Sequence, residues 1–412
     1  MPAQALPAPA HQPGPSGTGT GTGTSTSTST STSTSTSTSK VVSAGTHRVR
    51  PAEETWEWIR PLLPACGVTR VADVTWLDEI GIPVFQAVRP NAHSLSVSQG
   101  KGITPMLARV SAAMEAVELW HAEHPAVPVT AATVEDITDH LGYRLDTLPM
   151  TPRHFTGPDC RFDWYPAARV DGSGLSYVPV PLLYLDTCVT GRWTPAAFRA
   201  TSNGLASGNV LEEALLHGMY EVVERDATAR ARRYGTARPV DLPSVDDPSA
   251  RPLLERLWGA GVEVAVRFLP SPFGVPTFDT VITSSLFPFP FGGIGTHLDA
   301  GVALCRALTE AAQSRATAIA GARDDIGRSL YREAGLFSVN RAPAAPAADS
   351  AMDFTSVASA ALPDVRDETA HMAGRIESVT GSPPLYVDLT RPELGVPVAH
   401  VVCPGALLDT AH

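Results

Sequence analysis

Cysteine is scarce in this chain. Five residues (Cys66, Cys160, Cys188, Cys305 and Cys403) are scattered through 412, with no CxxC and no Cys/His pairing at zinc-site spacing. That pattern excludes a disulfide framework and a structural zinc, and it fits a reduced, cytoplasmic protein. None of the five stands in a Ser/His-like constellation, so each reads as a small buried hydrophobe rather than a nucleophile. Runs of Lys or Arg are missing too, and the formal charge of −11 excludes nucleic acid as a partner. No apolar run approaches the roughly 20 residues needed to cross a bilayer. The amino terminus has no apolar h-region, and Lys40 is its one Lys or Arg before His47, so it is neither a secretory signal nor a transit peptide. The full phosphate-cradling pattern GxxxxGK[ST] is absent as well; Gly100-Lys101-Gly102 matches only a part of it.

What is present divides in two. Residues 1–45 are low complexity, a Pro/Ala start followed by GT and ST repeats, which bury almost nothing and are expected to be disordered. The 412 residues are enough for one large domain or two ordinary ones, with an ordinary hydrophobic content, and residues 46–412 are expected to form a single domain. A short helix is expected over PAEETWEWIRPLL, with Pro51 at its start. Short strands follow in VTRVADVTWLDEIGIPVFQAVRP, then a helix from about Pro105 to Glu123. Tyr177–Leu185 reads as a strand, and VEVAVRFLP and VPTFDTVITSSLF alternate as two sheet strands. The Ala/Pro-rich stretch 341–362 reads as a surface loop, and two strands finish the chain. Strands and helices in irregular succession imply an α+β fold.

Three helical stretches carry carboxylates among small or apolar neighbours. In LEEALLHGMYEVVERDATAR, a wheel of about 100° per residue places Glu213, Glu221 and Glu224 on one stripe, with Asn209 at the expected N-cap and His217 between them. Ser111, Glu115 and Glu118 share a face of the earlier helix, and Arg306, Glu310 and Gln313 share a face of a later one, with Arg315 pointing to one side. A solvated acidic face, or a surface Arg–Glu pair, is the commoner meaning of any one of these. Like charges stacked on one apolar-flanked stripe nevertheless repel unless a cation sits among them. Clustered carboxylates hold Mg²⁺, usually together with substrate phosphates, and Arg225, Arg306, Arg315 and Gln313 suit phosphate and ribose oxygens. The chemistry therefore suggests a nucleotide site built without a Walker motif.

The motifs Sx3ExxE (Ser111, Glu115, Glu118), Nx3Ex7ExxER (Asn209, Glu213, Glu221, Glu224, Arg225) and RxxxExxQxR (Arg306, Glu310, Gln313, Arg315) resemble those of the YcaO family. GKG, SNGLASGN and GIGTHLD precede them in the same order, and the resemblance runs from about Gly45 to Gly405. It implies a YcaO-type fold, with mixed and antiparallel sheets packed with long helices around a carboxylate-lined nucleotide site. It also implies an enzyme that uses ATP and Mg²⁺ to phosphorylate the oxygen of a peptide backbone amide after a nucleophile has added. That nucleophile is a Cys, Ser or Thr side chain in azoline-forming cyclodehydratases and an external sulfide in thioamide-forming members. The resemblance assigns metal to Glu115, Glu213 and Glu224. It assigns nucleotide contacts to Ser111, Glu118, Asn209, Glu221, Arg225, Arg306, Glu310, Gln313 and Arg315, and on a looser amino-terminal pattern to Arg48 and Thr55.

Two departures narrow the expectation. Leu119 stands where many members have Arg, and the chain ends PGALLDTAH rather than in the PxPxP tail common among azoline formers. Together with TRVADVTWLDEIGIPVFQAVRP, this looks more like the members that work beside a TfuA protein, for which a thioamide product is implied. The expected partners are a precursor peptide and a TfuA-like or leader-binding protein, and the family suggests a homodimer. A non-catalytic peptide-binding assembly subunit is the alternative from another class; loss of a cation-binding glutamate would favour it, and none is lost.

Overall fold

The computed structural model describes residues 38–43, 45–152, 154–186, 197–323, 325–326 and 351–408. Cys188, part of the repeat segment and residues 341–350 of the expected surface loop therefore lie outside the described residues.

The described chain opens with a two-stranded ribbon, β1 (Val41–Ser43) and β2 (Thr46–Arg48), so ordered structure starts ahead of the Gly45 boundary read from composition. Helix α1 (Ala52–Ile59) follows Pro51 as expected and runs on into a 3₁₀ stretch. Strands β3 (Arg70–Asp73), β4 (Val84–Val88) and β5 (Val97–Lys101) form an antiparallel three-stranded sheet covered by α2 (Pro105–Glu123). Thr104 caps α2 by accepting from the Leu107 N–H, ahead of Pro105, where a missing N–H costs nothing.

Next come β6 (Thr130–Thr133), α3 (Val134–Leu141), β7 (Arg161–Arg169) and β8 (Leu175–Pro179). The expected strand over Tyr177–Leu185 stops at Pro179; the chain turns there into α4 (Val180–Leu183), which tolerates Pro181 in its first turn. Strand β9 (Leu205–Ser207) leads into α5 (Leu211–Tyr234). Strand β10 (Arg238–Asp241), α6 (Ala250–Gly259), β11 (Glu263–Phe268), β12 (Thr277–Thr283) and β13 (Phe291–Thr296) precede α7 (Ala300–Ala320). Strand β14 (Met352–Asp353), α8 (Val365–Thr380), β15 (Leu385–Asp388) and β16 (Val398–Val402) complete the described chain. Of the stretch read as a surface loop, the described end is tied down: β14 pairs in parallel with β10, and Phe354 is buried.

The larger sheets run β13-β12-β11-β10-β14 and β6-β7-β15-β16-β9, the second with β8 added on β7. Apart from β10–β14 their pairings are antiparallel. Each long acidic helix lies on a different sheet, α2 on β4–β5, α5 on β9–β16 and α7 on β12–β13. Their apolar sides close three separate cores, and α8 covers the far side of α5. The acidic stripes are thereby turned toward one another. Among the described residues no helix is long and apolar enough to cross a membrane.

Candidate active site

A cavity of about 630 Å³ opens where the three helices converge. Thirteen of the fourteen residues singled out from the sequence line it: Arg48, Thr55, Ser111, Glu115, Glu118, Asn209, Glu213, Glu221, Glu224, Arg225, Arg306, Glu310 and Gln313. Arg315 does not. Its guanidinium is 1% exposed and donates to both carboxylate oxygens of Asp78 (Nε 2.9 Å, Nη2 3.1 Å), to Glu79 (2.7 Å) and to Ser284 (2.7 Å). The reason is angular: Arg315 sits two positions beyond Gln313, about 200° round the helix, so it points to the opposite wall.

Close packing builds the cavity walls. A Cβ at Gly100 would lie 2.0 Å from the Ala112 nitrogen, so glycine there lets β5 lie directly against α2. The fragment Gly100-Lys101-Gly102 thus serves strand–helix packing, and Lys101, between the glycines, forms an ion pair with Glu310 of α7. Gly204, at φ +87°, makes the turn into β9, and a Cβ there would meet the Val401 carbonyl oxygen at 2.1 Å.

Asn209 corrects a detail of the sequence reading. Val210, not Asn209, is the N-cap of α5. The Asn209 amide is committed instead: its Oδ1 accepts from the Thr55 hydroxyl (2.8 Å), while its Nδ2 and backbone N–H donate to Glu213 Oε2 (2.9 and 2.8 Å). Arg48 Nε stands 3.2 Å from the other oxygen of Glu213. Residues from the amino-terminal ribbon, α1 and α5 are thus knitted into one wall.

Five of the cavity's glutamates fall into two electrostatic kinds. Burial works to raise Glu310, but Lys101, bonded directly to it, and nearby Arg225 and Arg306 hold it below the ordinary carboxylate value. Glu115 is pushed up to about 7 by burial, with one backbone N–H, from Gln99 at 3.3 Å, as its hydrogen bond. Glu118 is pushed up to about 8, again by burial, against the opposing help of the Ser207 hydroxyl and N–H at 2.6 and 2.9 Å. Glu224 is raised to about 7 by burial and then by the charge of Glu310. Burial likewise raises Glu221, against Arg225 with its Nη2 3.7 Å away. These carboxylates lack the positive charge that would let them ionise freely.

Two contributors to the wall carried no role in the sequence reading. His217 falls on the α5 stripe, one turn past Glu213, and its Nε2 meets Arg306 Nη2 at 3.0 Å. Burial, and then the Arg306 charge, hold its pKa well below the usual value, so the neutral ring accepts from the guanidinium and orients it. Its angular position was the available signal. Ser207 comes from a different strand, and no spacing within one helix could have paired it with Glu118.

The donor set fits Mg²⁺ with a polyphosphate. The cavity's carboxylates offer oxygen, the ligand Mg²⁺ takes, and a bound cation would restore the ionised state that burial disfavours. Among the described residues no three acidic, His or Cys side chains close on a single point. That agrees with the habit of Mg²⁺ of using one or two carboxylates and taking its other ligands from water and phosphate. Arg48, Arg225, Arg306 and Gln313 supply donors for phosphate and ribose oxygens in the same cavity.

The sequence model described as YcaO cyclodehydratase, ATP- and Mg²⁺-binding, matches residues 99–407. A Mycobacterium tuberculosis (strain H37Rv) protein is 36% identical over 378 residues, covering 89% of this chain and 84% of its own length. A Rhizobium leguminosarum bv. trifolii protein described as lying in the tfuA 3′ region is 34% identical over 378 residues, covering 88% of each. Among solved structures, YcaO from Methanopyrus kandleri bound with AMPPCP and Mg²⁺ superposes with a TM-score of 0.67 at 25% identity, over 90% of this chain and 94% of that one. A heterocyclase in complex with substrate and cofactor shares the fold with a TM-score of 0.71 at 23% identity, over 88% of this chain and 53% of that one. With three helix motifs converging on one acidic cavity and a family match spanning most of its length, this chain belongs to the YcaO family, whose domain binds ATP and Mg²⁺.

Proposed function

We propose that this chain activates a peptide backbone amide by ATP- and Mg²⁺-dependent O-phosphorylation and that sulfide is the nucleophile, giving a thioamide. The observation that carries the phosphorylation is the single cavity in which Glu115, Glu118 and Glu224 are held with raised pKa values beside Arg225 and Arg306. The choice of sulfide is supported by the relative from a tfuA region and by the likeness of the segment TRVADVTWLDEIGIPVFQAVRP to TfuA-associated members. A TfuA-like protein is the partner this reading expects.

In this reading Glu115, Glu213 and Glu224 are the carboxylates from which Mg²⁺ would draw one or two ligands, the rest coming from water and phosphate, with Glu118, Glu221 and Glu310 sharing metal and nucleotide duties. An amide oxygen is a poor leaving group; bound Mg²⁺ offsets charge on the phosphoryl group that converts it to a good one. Arg306, oriented by His217, and Arg225, steered by Glu221, donate to phosphate oxygens, and Asn209 and Gln313 contribute neutral hydrogen bonds. Thr55 fixes the Asn209 amide, and Arg48 balances Glu213. Arg315 has no part in this set.

The description of the family as cyclodehydratases supports a second reading, ring closure by a Cys, Ser or Thr side chain of the substrate to an azoline. The first test is calorimetry of AMPPCP with Mg²⁺ against the intact chain and Glu213→Gln. Micromolar binding that disappears in the variant is expected. No binding to the intact chain, even with partner and peptide present, would overturn the enzyme reading in favour of an assembly subunit. Phosphate release from ATP that requires added sulfide supports the thioamide; release that requires a Cys-containing peptide and ignores sulfide supports the azoline.

A further inference from the structure

Among the described residues, β1 and β2 form a two-stranded sheet of their own, three residues paired with three. A ribbon of that size is at best marginal by itself in water. Yet Arg48, the last residue of β2, lines the nucleotide cavity with its Nε 3.2 Å from Glu213. Something outside the ribbon has to hold it there.

The residues just before β1 do so. The Val365 N–H donates to the Thr38 carbonyl (2.9 Å), the Lys40 N–H to the Pro363 carbonyl (2.9 Å) and the Thr38 hydroxyl to Asp364 (2.8 Å), so this segment lies against the start of α8. Lys40 turns its side chain inward, to 2% exposure, and its ammonium forms an ion pair with Glu368 of α8, whose side chain is 0% exposed. The other Glu368 oxygen accepts from the Tyr220 hydroxyl of α5 at 2.6 Å, and His297 Nε2 stands 3.6 Å from it. His297 accepts the Asp299 N–H on Nδ1 at 2.9 Å, and burial holds its pKa well below the usual value. Its ring is therefore neutral, and Lys40 supplies the positive charge. A carboxylate buried this far is costly without its counter-charge, which fixes Lys40 in place.

Strand geometry carries that fixation to Arg48. Val41, the residue after Lys40, is the cross-strand partner of Arg48, and Val42 is that of His47. Successive residues of β2 point to opposite sides. His47 packs edge-on against His297, with 5.2 Å between ring centroids, while Arg48 faces Glu213. One side of the strand is held by the cluster around Glu368, and the other serves the cavity.

Taking the nucleotide reading as its basis, we propose that Lys40 is a positioning residue for nucleotide binding: its ion pair with Glu368 anchors the ribbon and keeps Arg48 on the cavity wall, within reach of phosphate oxygens. The end of a segment whose composition promised no role thereby acts on the site through Arg48.

The test is calorimetry of AMPPCP with Mg²⁺ against the full chain, with hydrogen exchange over the ribbon as a second readout. Lys40→Met and Arg48→Leu should each weaken binding by about tenfold. The double variant should match the weaker single one within about twofold, because both changes remove the same contribution. Exchange over the ribbon should quicken in Lys40→Met. If that variant does not fold, Lys40→Met with Glu368→Gln leaves no buried carboxylate unpaired and should show the same two effects. Arg89→Met opens another buried ion pair, that with Glu123 of α2. It should lower stability yet leave AMPPCP affinity within about twofold and ribbon exchange unchanged. Unchanged affinity in Lys40→Met, losses that multiply in the double variant, or an equal loss in Arg89→Met overturns the proposal. Failure of AMPPCP to bind the intact chain would strike the nucleotide reading and leave the anchor to hydrogen exchange, where an unaltered ribbon in Lys40→Met overturns it.

Discussion

Two sets of buried charge face opposite sides of α7, and they are finished differently. Beneath the helix, Arg315 and Asp78 have side chains 1% and 4% exposed, meet through two parallel hydrogen bonds, and are closed off by Glu79 and Ser284. Above it, Glu115, Glu118 and Glu224 face a cavity in which burial raises their pKa values and protein cations do not cancel them. The first set is complete within the chain. The second is complete only with something positive added from outside. A closed network serves the fold, and an open one serves a ligand; burial alone does not separate the two.

Breaking the closed set should give the largest effect on stability. Arg315→Leu leaves Asp78 buried without its counter-charge and should cost about 3–5 kcal/mol, measured by urea unfolding, while the folded fraction binds AMPPCP with unchanged affinity. A large loss of nucleotide affinity in that variant would return Arg315 to the site. Breaking the open set should do the reverse. Glu224→Gln should weaken Mg²⁺-AMPPCP binding by about 100-fold, or about 2.7 kcal/mol, and leave the unliganded protein as stable as before or more so.

The pH dependence sharpens the contrast. Glu118 binds its proton more tightly in the folded than in the unfolded chain, with its folded value near 8. Its favourable contribution is therefore full below the unfolded value and is lost as pH rises through the folded one. The stability of Glu118→Gln relative to the parent should climb between about pH 4.5 and 8 and then level off. After allowance for solvent around a half-buried group, the total is on the order of 1–2 kcal/mol. A difference that is flat with pH would remove Glu118 from the open set. The smallest effect is expected for Lys101→Met, which moves Glu310 from the paired kind to the unpaired kind. It should lower stability by about 1 kcal/mol near pH 7.5 and by less near pH 5, as read by thermal unfolding at both pH values.

Much of this site was legible in the sequence because helical spacing is local. Glu213, Glu221 and Glu224 share a stripe whatever surrounds them, and the same holds for Ser111, Glu115 and Glu118. Arg315 shows the limit of motif transfer: its angle on α7 already pointed away from Glu310, and that angle predicted its place better than the motif did. What the sequence could not show was pairing between distant elements. Lys101 looked like a remnant of a phosphate loop until the fold brought Glu310 beside it, and Asn209 looked like a cap until Thr55 and Glu213 took up its amide. The strand expected through Pro181 failed for a local reason, the preference of proline for a first helical turn.

The convergence of three sheets on one cavity also bears on how the protein is made. Glu118 meets Ser207 across 89 positions, Thr55 meets Asn209 across 154, and Lys101 meets Glu310 across 209. Contacts so distant in sequence close slowly and late. At about 5–20 residues per second of synthesis, a ribosome must carry α2 and α5, with their uncancelled carboxylates, for many seconds before α7 emerges. No shorter amino-terminal product can contain the whole cavity. The Glu118–Ser207 and Thr55–Asn209 contacts can close before α7 is made, whereas the Lys101–Glu310 pair, and with it the last wall of the cavity, must wait for it.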